Sequence, residues 1–369
     1  MKRFIQYQLL LFLMTVILLQ PLFAQQHEYD EPYQTNTVVL PFLSYMPETS
    51  LMFGGLMMTQ FKPITAGPET RASQVVFSGV YTLNKQLVVE LTPNIFLSNE
   101  DWLFEGRYEY YFFPDNYWGV GAFTGQDDEL DVEFRALSFQ QAALKKMGGH
   151  LFAGINVQWS RISRVQFFDE NGESYQGKVI NGMNGSTLPG AGLSIRHDKR
   201  SSITWPTSGH YLEFSTMYFA GFLEATHPHS RFKLDARKYF DMSNDGTSIL
   251  GFHIRANLIS GRPPFQEYSR LGGREIMRGY YEGRFRDNNA AQIQTEWRQQ
   301  FYKRLGFSVF AAAGEVWNRF EDFSVSNPKF AAGVGLRFDL NPQDTSNLRI
   351  DYGIGKHDSG LYITLSEAF

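Results

Sequence analysis

The chain of 369 residues contains no cysteine. That absence excludes a disulfide framework and a lipid-anchored cysteine at a mature N-terminus. Long hydrophobic runs are missing too. Beyond residue 24 nothing approaches ~18 consecutive apolar residues, which argues against a helical membrane protein. Charge of one sign is scarce: 34 Lys and Arg stand against 38 Asp and Glu, a formal charge of −4. Without a basic excess, nucleic acid is not an expected partner. What the chain has in quantity is aromatic side chains, 16% of residues with 33 Phe and 19 Tyr, although its mean hydropathy is −0.30. A soluble sandwich would have to bury those rings. A barrel in lipid displays them outward, and its polar lumen lowers the average.

The N-terminus points to export. Lys2 and Arg3 precede the apolar stretch Leu9 to Leu19, and Leu22-Phe23-Ala24 ends in a small residue before Gln25. Basic start, short apolar region and small residue make a signal peptide over 1–24, cleaved after about Ala24. The apolar stretch is short for a membrane anchor of ~20 residues.

Alternation with period two then recurs along the chain. In 347–355, Leu348, Ile350, Tyr352 and Ile354 alternate with Arg349, Asp351, Gly353 and Gly355. In 329–339, Phe330, Ala332, Val334, Leu336 and Phe338 alternate with Ala331, Gly333, Gly335, Arg337 and Asp339. Trp102, Phe104, Tyr108 and Tyr110 do the same against Leu103, Glu105, Arg107 and Glu109. Successive side chains of a strand face opposite sides, so each segment carries one greasy and one polar face. Sixteen such segments are predicted, at roughly 38–45, 51–61, 73–83, 86–97, 101–112, 130–145, 148–161, 189–197, 209–220, 229–240, 247–258, 289–301, 305–316, 329–339, 347–355 and 360–369. They are longer than the ~5–6 residues of soluble strands and suit a tilted bilayer crossing. Long connections (113–129, 162–188, 259–288, 317–328) follow odd segments, and most connections after even ones are short. Only 198–208, and mildly 62–72, break that rule. Long loops outside and short turns inside is the asymmetry of bacterial barrels. The predicted fold is therefore all-β: a 16-stranded antiparallel transmembrane barrel over 38–369, after a signal peptide and a short segment 25–37.

The segment 259–288 is too long and too aromatic for mere connection. It holds Leu271-Gly272-Gly273, then Met277-Arg278-Gly279-Tyr280-Tyr281 and Gly283-Arg284. Met277-Arg278-Gly279-Tyr280 resembles the Val-Arg-Gly-Phe/Tyr motif of the BamA/TamA superfamily, which includes two-partner secretion transporters and bacterial surface antigen barrels. Asp198 with Arg200 and then Pro206-Thr207-Ser208-Gly209 resemble its turn before strand nine, and Asp235-Ala236-Arg237, Gly333 to Arg337 and Arg349 to Gly353 resemble its later strands, so that the resemblance runs from about 189 to 369.

The resemblance implies that the loop folds inward into the lumen and that Arg278 meets carboxylates on the next two strands. Glu296 matches the first acidic position. The second, in a Phe-x-Asp-x-Gly pattern, is here Phe310-Ala311-Ala312-Ala313-Gly314, so Ala312 replaces the aspartate. Asp351, inward by alternation but three strands further on, is the substitute partner expected. Leu361, Ile363, Leu365 and Phe369, predicted on one face of a final strand, resemble the C-terminal signal read by barrel-assembly machinery, with Glu367 interrupting the apolar face. Segment 25–37 leaves no room for a polypeptide-transport-associated domain, so a short form of the family is expected.

The remaining candidates read as ordinary. His227-Pro228-His229 lacks a third ligand for a metal. His253 beside Arg255 faces inward with no recognisable nucleophile. His197-Asp198 sits in the family turn, and Asn184-Gly185-Ser186 matches a glycosylation pattern only by sequence. The inward charges Glu105, Arg107, Asp235, Arg237, Glu296, Arg298, Arg337, Arg349 and Asp351 are expected to pair in a hydrated lumen. No enzyme activity, cofactor or metal is expected. The implied function is outer-membrane protein assembly or translocation. Its expected partners are outer-membrane lipids including lipopolysaccharide, the barrel-assembly machinery, and periplasmic or outer-membrane proteins. The alternative is a passive pore or structural barrel.

Overall fold

A computed structural model describes residues 35–63, 70–97, 100–203, 205–323, 327–341, 346–365 and 367–369. The expected signal peptide and nearly all of segment 25–37 lie outside the described residues. Sixteen strands form the wall. The first eight are β1 (Asn36–Met46), β2 (Ser50–Phe61), β3 (Ser73–Thr82), β4 (Leu87–Leu97), β5 (Trp102–Phe112), β6 (Leu130–Gly148), β7 (Leu151–Phe168) and β8 (Ser186–Asp198). The second eight are β9 (Gly209–Phe219), β10 (His229–Asp241), β11 (Ser248–Gly261), β12 (Asn289–Tyr302), β13 (Leu305–Trp317), β14 (Lys329–Asn341), β15 (Ser346–Ile354) and β16 (Ser359–Leu365). Each pairs antiparallel with the next, and β16 returns to β1 to close the barrel.

Period-two patterning explains why these segments are strands and which way they face. On β12, Gln292, Gln294, Glu296 and Arg298 are buried in the lumen while Ile293 and Trp297 are exposed outward. The same holds on β8, where Leu193 and Ile195 face out and Ser194 faces in. Antiparallel ladders from β1 through β16 pair the backbone groups of the wall, which a bilayer core demands.

Two departures from the predicted strands have physical causes. β6 and β7 run 19 and 18 residues, beyond the ~9–11 that a crossing needs. Their ends rise past the membrane at the long-loop side, so the connection after β7 is 169–185 rather than 162–188. Three short strands inside loops also escaped the pattern: Asp115–Tyr117 pairs with β6, and Ser269–Leu271 pairs with Phe285–Asp287. The second pair makes loop 262–288 a hairpin, held by backbone bonds that three-residue alternation cannot reveal.

Apolar clusters flank the inner surface at both ends. Phe96, Leu103, Leu144 and Phe152 pack at the short-turn end of β4–β7. Tyr117, Val132, Phe134, Ile162 and Phe167 gather around Phe265 of the long loop at the other.

Candidate functional site

Loop 262–288 enters the lumen against β12–β16. Met277 adopts a left-handed backbone (φ 59°) and is fully buried with Ile276, Tyr280, Ala312 and Ala331. This contact explains Ala312: a carboxylate there would face a methionine instead of water or a cation. Gly279 follows at φ 115°, and a Cβ on it would lie 2.6 Å from the Ile354 carbonyl carbon. Across from it, a Cβ on Gly353 would meet the Arg278 carbonyl oxygen at 2.4 Å. The two glycines therefore let loop backbone run directly against β15. The Gly279 N–H donates to the Tyr362 hydroxyl (3.1 Å), and the Lys356 N–H donates to the Tyr280 hydroxyl (2.9 Å).

The close approach delivers Arg278. Its guanidinium donates through one nitrogen to Glu296 and through the other to Asp351, and all three side chains are fully buried. The guanidinium also lies 3.6 Å from the centroid of the Phe310 ring. Phe310 has room because Gly333 lacks a side chain; a Cβ there would be 2.3 Å from the ring. Gly314 likewise leaves space for Leu271 of the loop hairpin. The structure thus brings Met277, Arg278, Gly279, Tyr280, Glu296, Phe310, Gly314 and Asp351 into one neighbourhood. Asp351 is not the lesser partner: Arg278 divides its fork evenly between the two carboxylates.

The pair is part of a larger lattice. Arg298 Nε donates to Glu296 (2.8 Å), and Arg337 donates to Asp351 (2.6 Å) and to Glu296 (3.3 Å). Arg349 lies 3.4 Å from Asp351 and donates to Thr364 (2.9 Å). Planar guanidinium forks suit such shared carboxylates, and ion pairing offsets the cost of burying charge.

Glu367 completes the lattice and corrects the reading of the C-terminal segment. Leu361 and Leu365 face outward, but β16 stops at Leu365. The Glu367 carboxylate accepts from Arg337 Nε (3.0 Å) and lies 3.4 Å from Arg298, so residues 367–369 turn into the lumen. Phe369 does not share the outer face; it is buried beside Tyr239 and His253, with ring centroids 6.0 and 5.1 Å away. Arg298 donates to the Phe369 carbonyl oxygen (2.8 Å). The interrupting Glu367 was the signal for this turn.

The barrel seam lies beside the loop. Between β1 and β16 a single position is in register among the described residues, Tyr45 with Ile363, reinforced by Ser44 Oγ donating to the Ile363 carbonyl (2.5 Å). Every other neighbouring pair of strands has six or more positions in register among the described residues. At the long-loop end, the Glu282 N–H donates to the Glu48 carboxylate (2.7 Å), in the turn after β1. Burial, with Glu282 and Asp115 close by, pushes the Glu48 carboxyl up to about 7. Loop 262–288 thus holds β16 through Tyr362 and the β1–β2 turn through Glu48, one on each side of the seam.

The other half of the lumen is open. A cavity of about 410 Å³ is lined by residues of β4–β10, among them Asn94, Arg107, Arg196, Glu213 and Lys233. Arg196 bridges Glu105 (2.7 Å) and Glu213 (3.0 Å), all partly exposed. His253 is buried 3.2 Å from Asp235 and packs on Phe369. His229 stacks on Phe219.

The chain matches the Omp85 superfamily domain over residues 147–369. Among solved structures it resembles BamA from Haemophilus ducreyi lacking POTRA domains 1–3, at 11% identity and a TM-score of 0.62, covering 90% of this chain and 70% of that one. CdiB from Escherichia coli aligns at 11% identity and TM-score 0.58, with 91% of this chain and 63% of that one covered. CdiB from Acinetobacter baumannii aligns at 13% identity and TM-score 0.52, with 90% and 59% covered. The chain thus spans less than two thirds of either CdiB. At these identities the likeness is one of fold. No curated protein matches the sequence.

Proposed function

This chain belongs to the Omp85 superfamily and builds an outer-membrane barrel of the BamA type, and we propose that it acts in assembling or translocating polypeptides by parting the wall between β1 and β16. The observation that carries this reading is the seam, paired in register at one position among the described residues. A sheet edge with unpaired N–H and C=O groups is a template for another strand. An incoming segment can add to β1 or β16 by backbone bonds, with side-chain pockets contributing little. The buried loop fastens β12–β15 through the arginine lattice, whereas its holds on the two sides of the seam are single hydrogen bonds, to Tyr362 and to Glu48, so the seam is the joint that yields. In this reading no chemistry is catalysed. Periplasmic proteins would deliver clients, and lipids and lipopolysaccharide would border the opening. A passive pore is disfavoured by the loop that occupies the lumen along β12–β16.

The absence of cysteine makes the test clean. Tyr45→Cys with Ile363→Cys joins two register partners, whose spacing is within reach of a disulfide. Full-length protein reconstituted in vesicles is offered a urea-unfolded reporter barrel, and reporter folding is read by heat-modifiable gel migration. Oxidation is expected to abolish acceleration of reporter folding, and reductant to restore it. Equal acceleration by the oxidised, locked barrel would overturn the reading.

A further inference from the structure

The outer face of β8–β10 changes character abruptly at the short-turn end. On β8 the lipid-facing row runs Leu193, Ile195 and then His197, and alternation continues it to Lys199, whose N–H still donates to the His210 carbonyl (2.9 Å). On β9 it runs Phe214, Leu212 and then His210. On β10, Lys238 is exposed on the same face, directly in register with His210. On β8 and β9 the outward row thus passes from apolar to basic at one level, while on β10 the Lys238 ammonium lies 5.1 Å from the ring of exposed Phe240, the mix of basic and aromatic side chains found at a membrane–water interface.

The basic groups form one cluster. His210 Nε2 and His197 Nδ1 are 2.9 Å apart, with rings stacked at 4.9 Å and 15°. The exposed His150 contributes a third ring, 6.2 Å from His197. No carboxylate answers this charge. Asp198, the nearest in sequence, is held by both nitrogens of Arg200 (2.9 and 2.8 Å). Among the described residues neither Lys199 nor Lys238 makes an ion pair with a carboxylate. Lysines without a carboxylate partner beside stacked imidazoles, at the interfacial level of the wall, fit an anionic phosphodiester.

We propose that His197, Lys199, His210 and Lys238 form a binding site for the headgroup of an anionic glycerophospholipid in the periplasmic leaflet. The ammonium groups and an imidazole N–H donate to the phosphate, while Leu212, Phe214 and Ile195 meet the acyl chains above it. This site is independent of the proposed seam opening. It fixes the orientation of β8–β10, the part of the wall on the far side of the lumen from β1 and β16.

Native mass spectrometry of the full chain, released from detergent micelles titrated with phosphatidylglycerol or phosphatidylcholine, tests the proposal. Wild type is expected to retain a phosphatidylglycerol at roughly tenfold lower lipid concentration than a phosphatidylcholine. Lys199→Gln with Lys238→Gln should bring the two lipids within about twofold. Lys145→Gln with Lys303→Gln removes equal charge from exposed positions outside the cluster and should leave the preference intact. Heat-modifiable migration confirms that each variant is folded. The proposal fails if wild type shows no preference, if the first pair keeps it, or if the control pair loses it equally. Displacement of the lipid by excess inorganic phosphate would also overturn it, because the site would then be one for free anion.

Discussion

The two halves of the lumen use the same ingredients to opposite ends. Along β12–β16, Arg278, Arg298, Arg337 and Arg349 share Glu296, Asp351 and Glu367, and none of these side chains is more than 2% exposed. Along β4–β10, Arg196, Glu105 and Glu213 are 15, 28 and 23% exposed and border a cavity of about 410 Å³. Charge alone therefore does not decide whether a barrel interior is rigid or wet. The difference is the loop: its backbone reaches β15 through paired glycines, expels water, and so converts lumenal charges into a fastened lattice. In the other half, among the described residues, the loop meets the wall only near its start, through Phe265, Gln266 and Glu267, and the Arg196 ion pairs stand at the cavity wall.

The largest effect is expected where the lattice is broken. Arg278→Ala leaves Glu296 and Asp351 buried without their shared cation. Removing one partner of a buried pair costs ~3–5 kcal/mol, and here Arg298, Arg337 and Arg349 remain to compensate, which favours the lower end. The loop should loosen while the wall persists, seen as new protease cleavage within 262–288 of the reconstituted protein. Glu296→Ala should give the same cleavage, and the double variant should be little worse than either alone. Simple additivity would separate the two residues. The matching change in the wet half, Arg196→Ala, should cost only ~0–1 kcal/mol and leave the loop uncleaved.

A smaller effect is expected at Phe369. Truncating a buried phenylalanine costs ~3–5 kcal/mol in a fixed core, but a short tail can move, which reduces the loss. Phe369→Ala should lower the temperature at which the folded band converts to the unfolded one on heat-modifiability gels. Unchanged conversion would mean that the tail adds nothing to the folded barrel.

Much of this was legible in the residues. Sixteen segments of alternation are the physical trace of one face in lipid and one in the lumen, and loop parity placed both ends. Met277-Arg278-Gly279-Tyr280 pointed to the inward loop, and alternation alone set Glu296 and Asp351 on the lumenal side. Phe369 was misplaced because alternation was extended past Leu365, where Glu367 is drawn inward by Arg337. The docking of Glu282 on Glu48 was invisible, since it joins positions far apart through a backbone N–H. The single register position at the seam was hidden as well: β1 and β16 look like any other strands until their pairing is drawn.

The smallest effect is a pH dependence at the loop tip. Burial holds the Glu48 carboxyl at about 7, above an ordinary 4.5, so Glu48 in the buried, docked arrangement binds a proton that a solvent-exposed Glu48 has lost. Docking should be tightest below about pH 4.5 and weaken as pH rises through about 7. Amide exchange at Glu282 should therefore quicken with pH more than intrinsic chemistry requires, and Glu48→Gln should remove the excess.

The central claim is that the wall yields between β1 and β16. Hydrogen–deuterium exchange on the reconstituted full chain tests it directly, comparing Asn36–Met46 and Ser359–Leu365 with the β6–β7 hairpin, before and after a reporter barrel is added. The seam strands are expected to exchange first when the protein is alone and to gain protection when the reporter engages. Seam strands as protected as β6 and β7 at rest, with no change on adding the reporter, would contradict it.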